Sequence, residues 1–107
     1  MLRAIAHRGP DGEGMRQFRS PGTGHDVFLG HRRLAIIDPD GARQPMCDDA
    51  AGLALSFNGE IYNFRERRAQ LSRLGYAFTR DSDTEVLLRA YQHWGCAVVE
   101  HLRGMFA

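Results

Sequence analysis

Asn58, Gly59 and Glu60, within residues 57–63 (FNGEIYN), are the residues of this sequence whose types and spacing could do chemistry. An Asn side-chain amide and the next residue's backbone N–H can donate to one oxygen, which is how acyl-transfer sites hold a developing oxyanion. A glycine also lets the backbone approach a reacting carbonyl without a Cβ in the way. Glu60 adds a carboxylate to the same mouth. Asn-Gly is equally the commonest hairpin-turn dipeptide, so the pair alone leaves both readings open.

The elements that must position this triplet can be read from pattern. Residues 53–57 (LALSF) are short, apolar and turn-bounded, as a buried strand is, and residues 63–74 have helical composition, so Asn58 and Gly59 fall at a strand's end. Gly75 stops that helix as a C′ residue, and a short strand is expected over 76–79. The helix has a thin apolar stripe of Phe64, Leu71 and Leu74; Arg67 and Arg68 occupy its middle turn, so an arginine stem must cover core there. The second helix is capped by Ser82 or Asp83, carries Glu85 in its first turn, buries Val86, Leu87, Ala90, Tyr91 and Trp94, and stops at Gly95. A shorter helical piece over 97–102 leads through Gly104 into residues 105–107, which read as the opening of a strand. Towards the N-terminus, residues 2–7 read as the last turns of a helix that runs into a Gly/Pro loop at 8–14 (RGPDGEG), residues 27–37 as a strand, and Cys47 as a loop residue after Met46.

Composition narrows the classes. At 107 residues, 43% hydrophobic and 25% charged, the chain is one soluble domain's worth of material or part of one. A net charge of +1, from 14 basic and 13 acidic residues, gives no drive toward nucleic acid or an anionic membrane. Every basic residue is Arg, interleaved with acids and without an aromatic stacking set, so no nucleic-acid partner is expected. Cys47 and Cys96 lie far apart, no leader or long apolar span is present, and a reducing cytoplasm is the expected location. His7, His25, His31, His93 and His101 lack the spacing of a zinc site, so no metal is assigned.

Taken in order, residues 7–14 (HRGPDGEG), 30–38 (GHRRLAIID), 44–45 (QP), 57–63 (FNGEIYN), 82–86 (SDTEV) and 104–107 (GMFA) closely resemble the glutamine amidotransferase domain of glutamine-hydrolysing asparagine synthetases. The resemblance runs nearly end to end. It implies an α+β fold, the four-layer αββα sandwich of the N-terminal-nucleophile hydrolases, with antiparallel sheets between helices and incomplete over these residues. It also implies that a Cys thiol, with its own α-amine as base, attacks the side-chain amide of glutamine and releases ammonia to a separate ATP-using synthetase domain. On the matching positions, Asn58 and Gly59 become the oxyanion pair, Arg33 the clamp on the substrate α-carboxylate, Glu60 and Asp83 the acceptors of its α-ammonium, and Leu34, Ile36 and Ile37 the lining of the pocket. Two alternatives stay open: Arg32 carries the clamp if the strand register slips by one, and Asp83 is only a helix cap. His7 and Arg8 match the family but also suit tying down their own loop.

The family nucleophile is a Cys at the start of the mature chain, where this sequence reads Met1-Leu2, and the internal Cys47 has no free α-amine to stand in for it. The expectation is therefore that the 107 residues alone are inactive as a glutaminase and marginally stable, Arg67 standing where relatives carry Leu. ATP and magnesium are expected only in the synthetase domain, since no G-x-x-x-x-G-K-[ST] pattern occurs here and no cofactor belongs to this segment. Expected partners are glutamine and that synthetase domain, with a homodimer of the full-length protein also compatible. Aspartate is the expected acceptor of the ammonia; a related amidotransferase with another acceptor, or a non-catalytic glutamine-binding or remnant domain, are the alternatives.

Overall fold

The computed structural model describes residues 1–33 and 43–107. Its elements are β1 (Gly12–Arg19), β2 (Asp26–Arg33), β3 (Met46–Asp48), β4 (Leu53–Leu55), β5 (Gly59–Ile61), α1 (Phe64–Arg73), α2 (Asp83–Trp94) and β6 (Gly104–Phe106), with 3-10 turns at Ala6–Arg8 and Gly95–His101. The described strands form three antiparallel ribbons, β1 with β2, β3 with β4 and β5 with β6, so the class is α+β as expected.

The core sits where the helices meet β5. Ile61, Leu71, Val86 and Ala90 are essentially sealed from solvent, and Phe57, Leu87 and Val98 close around them. Each large apolar side chain buried there contributes roughly 2 kcal/mol relative to exposure. Helix α2 forms where its caps predict: Ser82 Oγ accepts the Glu85 N–H at 3.2 Å, and Gly95 ends the helix at φ 59°. Its buried face differs from the expected stripe. Leu88 is buried and Tyr91 is 44% exposed, because α2 is covered on one side by α1 and the 3-10 turn and on another by β3 and β4. Gly75, at φ 96°, follows α1 as expected, but Leu74 turns outward at 53% exposure.

Arg67 fills the gap in the α1 stripe. Its side chain is only 18% exposed, its guanidinium reaches Glu66 and Gln70, and its Nε is buried with no partner among the described residues. A buried unpaired donor costs about 1–3 kcal/mol, more than exposed partners of this kind return. Arg67→Leu is therefore expected to stabilise the domain by about 1 kcal/mol and to raise its thermal midpoint by roughly 4–8 °C, measured by circular dichroism.

Five expectations require correction. Residues 2–7 form turns and a short 3-10 segment rather than the end of an α-helix, the Ala4, Ala6 and Arg8 N–H groups each bonding to the carbonyl three residues back. Among the described residues no strand forms over 76–79: the Tyr76 N–H closes the end of α1 on Leu71 O, and the Thr79 N–H is taken by the Glu85 carboxylate at 3.0 Å, so the donors at both ends of the segment are engaged locally. The loop at 8–14 ends early because residues from Gly12 onward pair with β2, and Cys47 lies in β3 rather than a loop. Finally, the 53–57 strand stops at Leu55, and Asn58-Gly59-Glu60 opens a separate strand instead of ending that one.

Candidate functional site

Among the described residues, the backbone at 56–57, between β4 and β5, has no ladder partner and is held through side chains. Gln44 Oε1 accepts the Phe57 N–H at 2.5 Å, and His31 Nδ1 lies 3.1 Å from Ser56 Oγ, which ties β2 to the residues just before Asn58. The Phe57 ring is buried in the core. Asn58 then exchanges two backbone hydrogen bonds with Ala107, at 3.2 and 2.8 Å, and β5 continues against β6 with Gly59 opposite Phe106 and Ile61 opposite Gly104.

That register fixes where each group points. Pairs alternate in an antiparallel ladder, so because Asn58 and Ala107 exchange bonds, the Gly59 N–H turns away from β6. It lies on the same edge as the Ile61 N–H, which donates to Asp83 Oδ2 at 3.0 Å. Side chains alternate across the strand as well, so Asn58 and Glu60 stand on one face and Ile61, in the core, on the other. Asn58 and Glu60 are exposed, and their side chains make no hydrogen bond among the described residues.

Gly59 is required by its neighbour across the ladder. A Cβ there would lie 2.1 Å from Met105 O and 2.5 Å from Phe106 Cα, at a φ of 151°. Gly104 faces the same constraint, with a Cβ 2.0 Å from Glu60 O. The missing Cβ therefore serves the packing of β6 onto β5.

Asp83 opens α2, but Ser82 is the cap; the Asp83 carboxylate is spent on β5 and, at 3.4 Å, on Thr84 Oγ1. It thereby fastens the helix to the strand that carries Asn58 and Glu60. Arg33 ends β2 opposite Gly12, and Arg32 is already engaged, with Glu13 at 2.9 Å and Leu2 O at 3.2 Å. Leu34, Ile36 and Ile37 lie outside the described residues.

Three positions that pattern reading did not single out support the site. Gln44 and His31 hold its entrance, and Asn63, instead of capping α1, donates to His101 O at 3.0 Å and accepts the Arg103 N–H at 2.9 Å, steering the chain into β6. The signal available for each was a polar residue inside a distinctive block, which says that it matters without saying to what.

Two depressions lie elsewhere on the surface: a cleft of about 320 Å³ between β3 and α2, and an open groove between α1 and the 78–81 segment. The first is closed by the Arg89–Asp48 ion pair. The Ala51 N–H, followed by Arg89, holds the Asp48 carboxyl below the usual carboxylate range. A lowered folded-state pKa means the pair's stabilisation is complete above the unfolded carboxylate value of about 3.9 and disappears as pH falls through the folded one. Asp48→Asn is expected to be less stable than wild type at neutral pH, with the difference vanishing in strong acid, as urea midpoints across that range would show.

The sequence profile of the glutamine amidotransferase domain matches residues 1–107. The chain belongs to the glutamine amidotransferase domain family. It is 46% identical over its whole length to asparagine synthetase [glutamine-hydrolyzing] 1 of Bacillus subtilis and 40% identical to asparagine synthetase [glutamine-hydrolyzing] 3 of the same organism. It is also 44% identical, over 99% of its length, to amidase chry2 of Gibberella zeae. The amidotransferase segment spans only 16%, 17% and 15% of these relatives' lengths, so they contain much besides the part it matches. No helix among the described residues is long and apolar enough to cross a membrane.

Proposed function

We propose that this amidotransferase segment is the glutamine-binding and oxyanion part of a glutaminase domain, which hydrolyses glutamine to glutamate and ammonia for ATP-dependent amide formation on aspartate in the full-length protein. The observation that carries the proposal is β5: the Gly59 N–H is turned out of the ladder beside the amide of Asn58 and next to the carboxylate of Glu60, neither of which has a side-chain partner among the described residues.

The distances suit a free amino acid. Gly59 and Ile61 N–H groups on one strand edge lie about 7 Å apart, two strand rises. Five bonds separate the amide oxygen of glutamine from its α-ammonium, about 6 Å when extended. With the amide oxygen on Gly59 and Asn58, the ammonium reaches Asp83, whose oxygens keep spare lone pairs, and Glu60. Arg33 takes the α-carboxylate as a bidentate fork, Arg32 being occupied elsewhere, and Leu34, Ile36 and Ile37 line the pocket. When a thiolate adds to the amide carbon, the oxygen gains charge, and each donor then lowers the barrier by about 3 kcal/mol.

The attacking N-terminal Cys of the family is not among these 107 residues, so the proposal for them is confined to binding glutamine and holding the oxyanion. The surrounding fold is proposed to be the four-layer αββα sandwich, in a cytoplasmic protein whose synthetase domain supplies ATP and magnesium and which is able to form homodimers. The likeness to amidase chry2 supports a second reading, in which the same glutaminase serves an acceptor other than aspartate.

Calorimetry with the full-length protein tests the site. L-glutamine is expected to bind, and N-acetylglutamine, which lacks the ammonium, to bind at least 100-fold more weakly, on the order of 3 kcal/mol for a lost charge-assisted contact. Equal affinity for the two would refute the assignment of Glu60 and Asp83. Absence of ammonia release from glutamine would refute the activity.

A further inference from the structure

We infer that Gln44 is a positioning residue for the oxyanion pair, acting through the Phe57 N–H; this rests on the glutaminase reading above. Three separate parts of the chain meet at this side chain and its backbone. Gln44 Oε1 accepts the Phe57 N–H at 2.5 Å, directly before Asn58. The Gln44 carbonyl occupies the space above Gly14 of β1, where a Cβ would come within 1.8 Å of it. Phe57 itself is 5% exposed, with its ring in the core.

Residue 57 is therefore pinned from two directions, by its ring and by its N–H. Beyond it, the ladder with β6 fixes the chain from Asn58 onward, through bonds to Ala107. Gln44, with the His31–Ser56 contact behind it, thus holds the residues that among the described elements lie between β4 and β5, and the orientation of the Asn58 amide follows from that anchor. Gly14 is the complementary half: only without a Cβ there can the Gln44 backbone come close enough for its side chain to reach Phe57. The acceptor oxygen is the working atom, because the Gln44 amide nitrogen has no hydrogen-bond partner among the described residues.

Two variants of the full-length protein separate this from a purely structural role. Gln44→Met keeps the length and removes the acceptor; Gln44→Glu keeps an acceptor oxygen in the same place. Loss of registration at Asn58 is expected to lower the glutaminase kcat of Gln44→Met by about 10- to 100-fold, with KM within about threefold, since the groups that hold the ammonium and carboxylate are fixed by other elements. Gln44→Glu is expected to keep kcat within about threefold of wild type. Wild-type turnover with an unchanged Gln44→Met kcat overturns the inference and leaves the glutaminase reading intact; absence of wild-type turnover overturns the reading, and the inference with it. If Gln44→Met does not fold, Gln44→Glu decides: a folded variant with kcat reduced more than tenfold overturns the inference, and one with retained kcat supports it.

Discussion

Replacing Gly59 by alanine is expected to destabilise the domain by about 3 kcal/mol, combining a backbone overlap with a φ that L-residues avoid. The added Cβ would meet Met105 O at 2.1 Å and Phe106 Cα at 2.5 Å, and neither is the free end of a flexible side chain. Either β6 separates from β5 or the strand twists away. Both outcomes disturb Ile61, which is 1% exposed and central to the core. Gly104→Ala should do comparable damage through Glu60 O, although no chemistry is proposed for Gly104. Gly22→Ala, where nothing lies near the new Cβ, should stay within about 0.5 kcal/mol of wild type. Urea midpoints for the three variants check this; a Gly59→Ala protein as stable as Gly22→Ala would show that β6 does not press on β5.

Asn58→Ala should behave in the opposite way. The side chain is exposed and makes no hydrogen bond among the described residues, so the unfolding midpoint should move by no more than about 0.5 kcal/mol. Its loss removes one donor to the oxyanion, and glutaminase kcat of the full-length protein should fall 10²- to 10³-fold, about 3–4 kcal/mol of barrier. Because this donor acts on charge that develops during the reaction, KM for glutamine should change far less than kcat. A full-length Asn58→Ala variant with wild-type kcat would remove Asn58 from the oxyanion site. Adjacent residues of one motif thus carry separable duties: Gly59 is a packing requirement whose N–H is turned toward the candidate site, and Asn58 is nearly free of structural work.

Local signals served best where the structure is local. The Ser82 cap, the glycines at 75 and 95 and the apolar spacing of α2 act within a few residues of themselves, and the second helix formed within those limits. The intrusion of Arg67 into the α1 stripe was legible for the same reason. Where a strand was expected over 76–79, the Tyr76 N–H is claimed by Leu71 O and the Thr79 N–H by Glu85, whose carboxylate is buried and also accepts from Arg80. Propensity cannot register such competition. Gly59 was legible as a special position, but that the backbone of β6 presses against it was not, because β6 lies far on in sequence.

The residue types and the order of the blocks determine by themselves that this chain belongs to the amidotransferase family and which side chains are candidates for binding glutamine, because those properties are written in identity and spacing. Tertiary structure alone decides that Asp83 reaches the edge of β5 rather than capping α2, that Arg32 is occupied by Glu13, and that Gln44 and His31 secure the chain before Asn58. Each of these is a contact between residues distant in sequence. Such contacts depend on which strands pair and in what register, a choice governed by the burial and hydrogen bonding of the whole domain and not by any single segment.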